Sequence, residues 1–328
     1  MQCSKLQFNI LTSCHEFYLG KPQKQKPKKA VFVATGFNST ALSSIEILTE
    51  DKNGIYISKQ IDMEGCSAIP EFPIATSSGV GAFFNGMPHV CAGYPSTKCF
   101  GFSTNGSWEN DFNLTRPLIG GSSVLLKKDW WIMGGDQNGF GTELWGGYPP
   151  SIINNAIQIP EQINTSCLVN ISYHEVFVIA MDESSKTSFA WIFNIQSEIW
   201  TRVKDPIEQR NGSACGYFKN STGRFVVLAG GFQTSTTEIF SLDSQTWSMG
   251  PSIGLDLFGA SMVSVSGNEE LLLIGGKSKM PLTQIMKMNS TMRSWKNVGN
   301  LTTPRFNAIA IDVPLDKLPN LCPPNSFC

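Results

Sequence analysis

The chain has 328 residues, with 25 Lys and Arg against 26 Asp and Glu, a formal net charge of −1 and 41% hydrophobic residues. This balance excludes the basic footprint of a nucleic-acid binder and the polar, highly charged composition of a disordered chain. No apolar run approaches the roughly 20 residues a bilayer-crossing helix needs, so no membrane insertion is expected.

Residues 1–29 read as an N-terminal extension that ends in the run KPQKQKPKK, either a solvated linker or a contact for an anionic partner. Short apolar strands then follow at intervals. The first, VFVATG, ends at Gly36, and the next pair is GVGAFF at 79–84 with HVCAG ending at Gly93. GSSVLL at 121–126 precedes WWIM with Gly134 and Gly135, while VFVIAM ends at Met181 without glycines. SACGYF at 213–218 precedes RFVVLAGG with Gly230 and Gly231, and GASMVSV at 259–265 precedes LLLI with Gly275 and Gly276. Adjacent glycines penalise a helix but suit a strand that must kink or let another backbone approach closely.

From Gly36 through Gly93, Gly135, Met181, Gly231 and Gly276 the unit recurs in steps of 42 to 57 residues, the period of a propeller or an array. A second signal runs with it. Phe193 precedes Trp200, Phe240 precedes Trp247 and Met288 precedes Trp295, each by seven residues, with a shortened version from Phe102 to Trp108. The apolar strand, glycine pair and framed polar turn resemble the kelch repeat, and the resemblance runs from Ala30 to Val313. It implies an all-β, six-bladed kelch-type β-propeller over residues 30–313, followed by a cysteine-containing tail at 314–328. The third and fourth copies depart from the pattern, since ELWGGYPPSIINN lacks the framed turn.

Copy one has no small apolar strand before AVFVATG, whereas FNAIAIDV at 306–313 follows copy six and is led in by Thr303–Arg305. That C-terminal strand is expected to complete the first blade and close the ring, leaving no open sheet edge.

Nine cysteines are many for a cytosolic β-protein. Cys91 and Cys99 flank a short loop between neighbouring strands, within disulfide reach if those strands are antiparallel. Cys167 and Cys215 hold similar places in the first strands of blades four and five, as an interblade bridge or as two buried thiols. Cys3, Cys14, Cys322 and Cys328 flank the ring and could pair among themselves, leaving Cys66 odd. Asn-X-Ser/Thr sequons occur at Asn38, Asn105, Asn113, Asn164, Asn170, Asn211, Asn220, Asn289 and Asn300. Both features point to an extracellular protein, although the N-terminus lacks the apolar core of a secretory signal. We read the chain as a fragment or an incomplete gene model, with LCPPNSFC as the entrance to a further module.

Enzymatic signatures are sparse. A galactose-oxidase copper site needs two histidines, two tyrosines and a cysteine at one place, and His15, His89 and His174 are scattered. A sialidase box fails at Gln245 and Trp247, where the kelch turn explains the residues better. The expected function is therefore noncatalytic, without cofactor: an extracellular binding or scaffold propeller that presents loops to a protein or glycan. The alternative is an intracellular kelch adaptor, which usually carries a further partner module. Candidate anchors are Trp145 and Tyr148, expected on a long loop of the face formed by second-to-third-strand loops and interblade connections; otherwise Trp145 packs against a neighbouring blade.

Overall fold

The structure, a computed structural model, describes residues 29–59, 69–136, 139–154, 157, 160, 165–182 and 187–318. Among them the regular elements are strands, apart from one 3-10 turn at Leu315–Lys317. The strands form one eight-stranded sheet, four four-stranded sheets and a two-stranded ribbon.

The four-stranded sheets follow chain order. Sheet II holds Val80–Phe84, Met87–Cys91, Lys98–Phe102 and Trp108–Asn113. Sheet III holds Ile119–Leu126, Asp129–Asp136, Gly139–Gly146 and Ser151–Asn154. Sheet IV holds Thr165–Asn170, Glu175–Asp182, Thr187–Asn194 and Ile199–Arg202. Sheet V holds Ala214–Asn220, Gly223–Ala229, Thr237–Ser241 and Thr246–Met249. In each, consecutive strands pair antiparallel.

The eight-stranded sheet has two antiparallel halves. Its back half holds Ser261–Val265, Glu270–Ile274, Gln284–Met288 and Trp295–Asn300. Its front half starts from the C-terminal strand Ile309–Pro314, which pairs with Lys29–Ala34 from Lys29↔Pro314 to Ala34↔Ile309. Ile45–Glu50 and Tyr56–Lys59 complete it. The halves meet where Gly299 and Asn300 pair in parallel with Tyr56 and Ile57. These strands extend one residue beyond each end of the expected 30–313 domain.

The first strands of the sheets touch in succession: II to III, III to IV, IV to V, V to the back half, back half to front half, and front half to II. This is an all-β arrangement of four-stranded antiparallel sheets, consistent with a β-propeller. The core lies between facing sheets. Phe32 meets Phe102 at 5.7 Å between the front half and II, Phe84 meets Trp130 at 5.8 Å between II and III, and Trp131 meets Phe193 at 5.1 Å between III and IV. Phe177 meets Phe240 at 4.9 Å between IV and V.

The pairs seven residues apart are cross-strand partners. Phe193↔Trp200, Phe240↔Trp247 and Met288↔Trp295 sit directly opposite on third and fourth strands, and the shorter hairpin aligns Phe102↔Trp108. Such pairs stabilise the hairpin edge and present its apolar face to the next sheet. Of the expected structural glycines, Gly36, Gly230, Gly231, Gly275 and Gly276 have positive φ. Gly93 has no positive φ but admits no side chain, because a Cβ would run into the Ser77 carbonyl oxygen. Gly134 and Gly135 differ from expectation: they lie inside a strand that continues to Asp136 and returns at Gly139.

One buried arrangement recurs. Arg305, ahead of the front half's first strand, bonds Glu46 at 2.7 Å and the Thr35 and Ser44 carbonyls at 2.8 and 2.9 Å. Arg210, ahead of sheet V, bonds Glu238 at 2.8 Å and the Gly230 and Thr236 carbonyls at 2.8 and 2.9 Å. Each glutamate is the second residue of a third strand and accepts the backbone N–H groups of the incoming connection: Thr302 and Thr303 on Glu46, Ile207 and Glu208 on Glu238. In sheet III, Glu143, the fifth residue of the longer third strand, likewise accepts from the incoming connection, Thr115 N–H at 3.0 Å. Burial holds the Arg305 guanidinium below its ordinary pKa, against the pull of Glu46.

Candidate functional site

Two regions gather side chains suited to binding, at opposite ends of the first strands. Antiparallel order puts second-to-third-strand loops and intersheet connections at one end, the loop end. The first and last turns of each sheet lie at the other, the turn end.

At the loop end a positive-φ residue marks the start of the first strands of sheets II, III and V and of both halves of the eight-stranded sheet, at Ser78, Gly120, Gly212, Gly259 and Asn307. Their backbones are tied in series: Gly259 N–H to Gly212 O at 2.8 Å, Asn307 N–H to Gly259 O at 2.7 Å, and Ser78 N–H to Asn307 O at 3.0 Å. The belt fixes the residues beside it. Phe258 and Phe306 precede two of its members, and with Phe37 and Phe232 from neighbouring loops they form a row. Centroid separations along it are 5.5 Å for Phe37 to Phe306, 6.2 Å for Phe306 to Phe258 and 6.4 Å for Phe258 to Phe232. Lys277 Nζ stands 5.1 Å over the Phe306 ring. Phe232 is 63% exposed and Met280, on the neighbouring loop, is 72% exposed.

At the turn end lies a well of about 620 Å³, bordered by residues of every first strand and of the turns that follow three of them. That volume is within the usual range for small-molecule pockets. Phe83, Leu125, Met262 and Ile311 supply apolar wall; Asn170, Tyr217, Ser264 and Asp312 supply polar groups. Asp312 is ion-paired with Lys29 through Oδ2, while its buried Oδ1 has no hydrogen-bond partner. Burial raises the Asp312 pKa above the ordinary carboxylate value against the opposing pull of Lys29, and burial likewise pushes the Tyr217 phenol up. Lys127 at the rim rests over the Tyr173 ring at 4.0 Å.

The expected anchors separate. Trp145 is 7% exposed, stacked on Phe112 at 4.5 Å and donating to Glu143 Oε2 at 2.8 Å. The reading of Trp145 as an exposed loop anchor is thus corrected: its segment is a third strand, and the indole fills the space between sheets II and III. Tyr148 is 78% exposed, but on a last turn, at the turn end rather than the loop end.

Both expected disulfides within the described residues are formed. Cys91–Cys99 links directly opposed residues of sheet II with Cα atoms 3.9 Å apart. Cys167–Cys215 links the first strands of IV and V across 6.1 Å between Cα atoms. Cys3, Cys14, Cys66, Cys322, Cys328 and Asn164 lie outside the described residues. Asn105, Asn113 and Asn300 are exposed, and Asn38, Asn170, Asn211, Asn220 and Asn289 are half-buried. Asn170 Nδ2 donates to Leu125 O and Asn220 Nδ2 to Ser290 O.

His89 is fully buried and bonds Asp111 at 2.8 Å among Phe84, Phe112 and Trp130. Among the described residues no group of three or more His, Cys, Asp or Glu side chains could hold a metal ion, and no helix is long and apolar enough to cross a membrane. Sequence reasoning missed the phenylalanine row, whose signal is an aromatic directly before Gly259 and Asn307 at the entry to a small apolar strand.

No family model matches the chain, and no curated protein matches it. A solved structure described as the structure of YjhT is similar, with 13% identity and a TM-score of 0.59 over 74% of this chain and 89% of that one. At that identity the likeness concerns the fold.

Proposed function

We propose that the chain is a noncatalytic extracellular binding module: a six-bladed, kelch-type propeller whose front half is the first blade, closed by residues 309–314. Three observations support the ring: the cyclic contact order of the first strands, the equivalence of Arg305–Glu46 with Arg210–Glu238, and the backbone belt that runs past the C-terminal connection. The two disulfides support an oxidising compartment, and the exposed sequons Asn105, Asn113 and Asn300 are its glycosylation sites.

The observation that carries binding is the row Phe37, Phe306, Phe258 and Phe232 at the loop end. Large apolar rings on a backbone held by a hydrogen-bonded belt lose little entropy when covered, which is what a protein-recognition surface needs. Lys277, beside Phe306, adds a cation that favours an acidic neighbour in the partner.

The test is a binding screen of the oxidised protein against extracellular proteins and a glycan panel, repeated with Phe232→Ala and with Met280→Ser. Phe232→Ala should weaken the captured partner about tenfold or more, with unchanged unfolding. A partner held equally by both variants moves the site away from this row. Peptide mapping that finds free thiols and bare asparagines throughout removes the extracellular reading.

A further inference from the structure

The row at the loop end leaves the opposite well without a role. Its chemistry is unusual in one respect: several hydrogens of its polar side chains are already committed. Ser264 Oγ donates to Tyr217 O at 2.7 Å, Ser123 Oγ to Gly81 O at 3.2 Å, and Asn170 Nδ2 to Leu125 O at 2.8 Å. Each bond crosses from one sheet to the next, so it also holds the well's wall in place. What these groups still offer is oxygen lone pairs and the second Asn170 amide hydrogen. Asp312 adds a partly exposed carboxylate, and Tyr217 a phenol that can donate or accept. The well therefore presents both acceptors and donors, and its occupant must supply both.

Charge narrows the class. Asp312 is neutralised by Lys29, and Lys127 stands at the rim over Tyr173, so the well carries no net negative charge to draw an organic cation. Nor does it aim several cations inward, as an anion site would. A neutral molecule with many hydroxyls fits, and Phe83, Leu125, Met262 and Ile311 match the C–H face of such a molecule. The volume of about 620 Å³ holds one or two pyranose rings.

We infer that this well is a second ligand site, which takes a neutral polyhydroxylated ligand such as a sugar residue, with Asp312 and Tyr217 as its principal hydrogen-bonding groups. It stands apart from the loop-end row, so either site can fail without the other. A free sugar and the last residue of a longer chain present the same hydroxyls, and ligand length separates them.

The experiment titrates the folded, oxidised protein with methyl β-glucoside, methyl β-galactoside and the matching trisaccharides, alongside tetramethylammonium and acetate. Binding is read by calorimetry and saturation-transfer NMR. At least one neutral glycoside should bind saturably. Asp312→Asn, which replaces a charge-assisted bond with a neutral one, should weaken it about tenfold, and Tyr217→Phe roughly fivefold. Phe232→Ala should leave it unchanged. A gain with the trisaccharide assigns the ligand to a chain end, and equal affinity assigns it to a free sugar. The inference is overturned if no glycoside binds, if tetramethylammonium or acetate binds in preference, or if both Asp312→Asn and Tyr217→Phe, shown to be folded, bind like the parent.

Discussion

Replacing Arg210 with methionine tests the claim that a buried ion pair anchors the connection before sheet V to that sheet. Arg210 and Glu238 have no exposed side-chain surface, and Glu238 also accepts Ile207 N–H at 2.6 Å and Glu208 N–H at 3.0 Å. Methionine keeps the apolar stem but removes the guanidinium, so Glu238 keeps a buried charge with only those two amides, and the Gly230 and Thr236 carbonyls each lose a charged donor. Breaking one side of such a pair costs about 3–5 kcal/mol, most of it the penalty of the stranded charge. Urea unfolding followed by tryptophan fluorescence and by circular dichroism measures it directly. Arg224→Met provides the contrast, because the Arg224–Asp243 pair is half exposed and its loss should leave the midpoint where it is. Removing both charges with Arg210→Met and Glu238→Leu should recover part of the loss, since neither ion is then left without its partner. A loss below about 1 kcal/mol in the single variant, or a double variant worse than the sum of its parts, would refute the reasoning.

Gly230→Val should destabilise sheet V far more than Thr234→Val: Gly230 has φ +68°, and a Cβ there would run into the Leu257 carbonyl oxygen, whereas Thr234 lies in the loop beyond. Equal melting temperatures for the two would count against it. The Asp312 carboxyl titrates above its ordinary value in the folded chain, so the folded state holds its proton more tightly than the unfolded state does. The stability this adds is present below the ordinary carboxylate range and is lost as pH rises through the raised value. Asp312→Asn removes that loss, so the stability of the variant relative to the parent should climb as pH rises from the ordinary carboxylate range through the raised value; a flat difference would show that burial of Asp312 carries no penalty.

The repeat was legible because its marks are local. Phe240 and Trp247 report a hairpin directly, since two strands joined by a short turn set residues seven apart against each other. Cys91 and Cys99 are legible for the same reason. Trp145 was not. The glycine pair Gly134–Gly135 reads as the end of a strand, yet in sheet III the ladder runs on through Gly134↔Gly141 and Gly135↔Phe140 to Asp136↔Gly139. The segment taken for a loop is therefore a third strand, and its tryptophan is turned into the core. Contacts between distant residues were less legible still. Arg305 and Glu46 are 259 positions apart, and nothing near either residue announces the other.

Those long-range contacts nonetheless make the chain's end intelligible. The C-terminal strand has no neighbour in sequence to identify it, so its role rests on equivalence with strands whose role is plain. Arg210 reaches from the connection before sheet V to the third strand of that sheet, and Arg305 reaches from the connection before Ile309–Pro314 to the third strand of the front half. Asn307 takes the positive φ that Gly212 and Gly259 take at the same step, and its N–H and C=O continue the same hydrogen-bond series. An asparagine there is tolerable because its side chain is short and polar, the property that lets it visit the left-handed region. A strand that shares the entry residue, the buried arginine and the ladder of its counterparts serves as a first strand of the proposed ring. The parallel contact of Gly299 and Asn300 with Tyr56 and Ile57 then ties the outer edges of the two halves as the first strands tie the inner ones. Closure of the proposed ring thus draws on both edges of the junction.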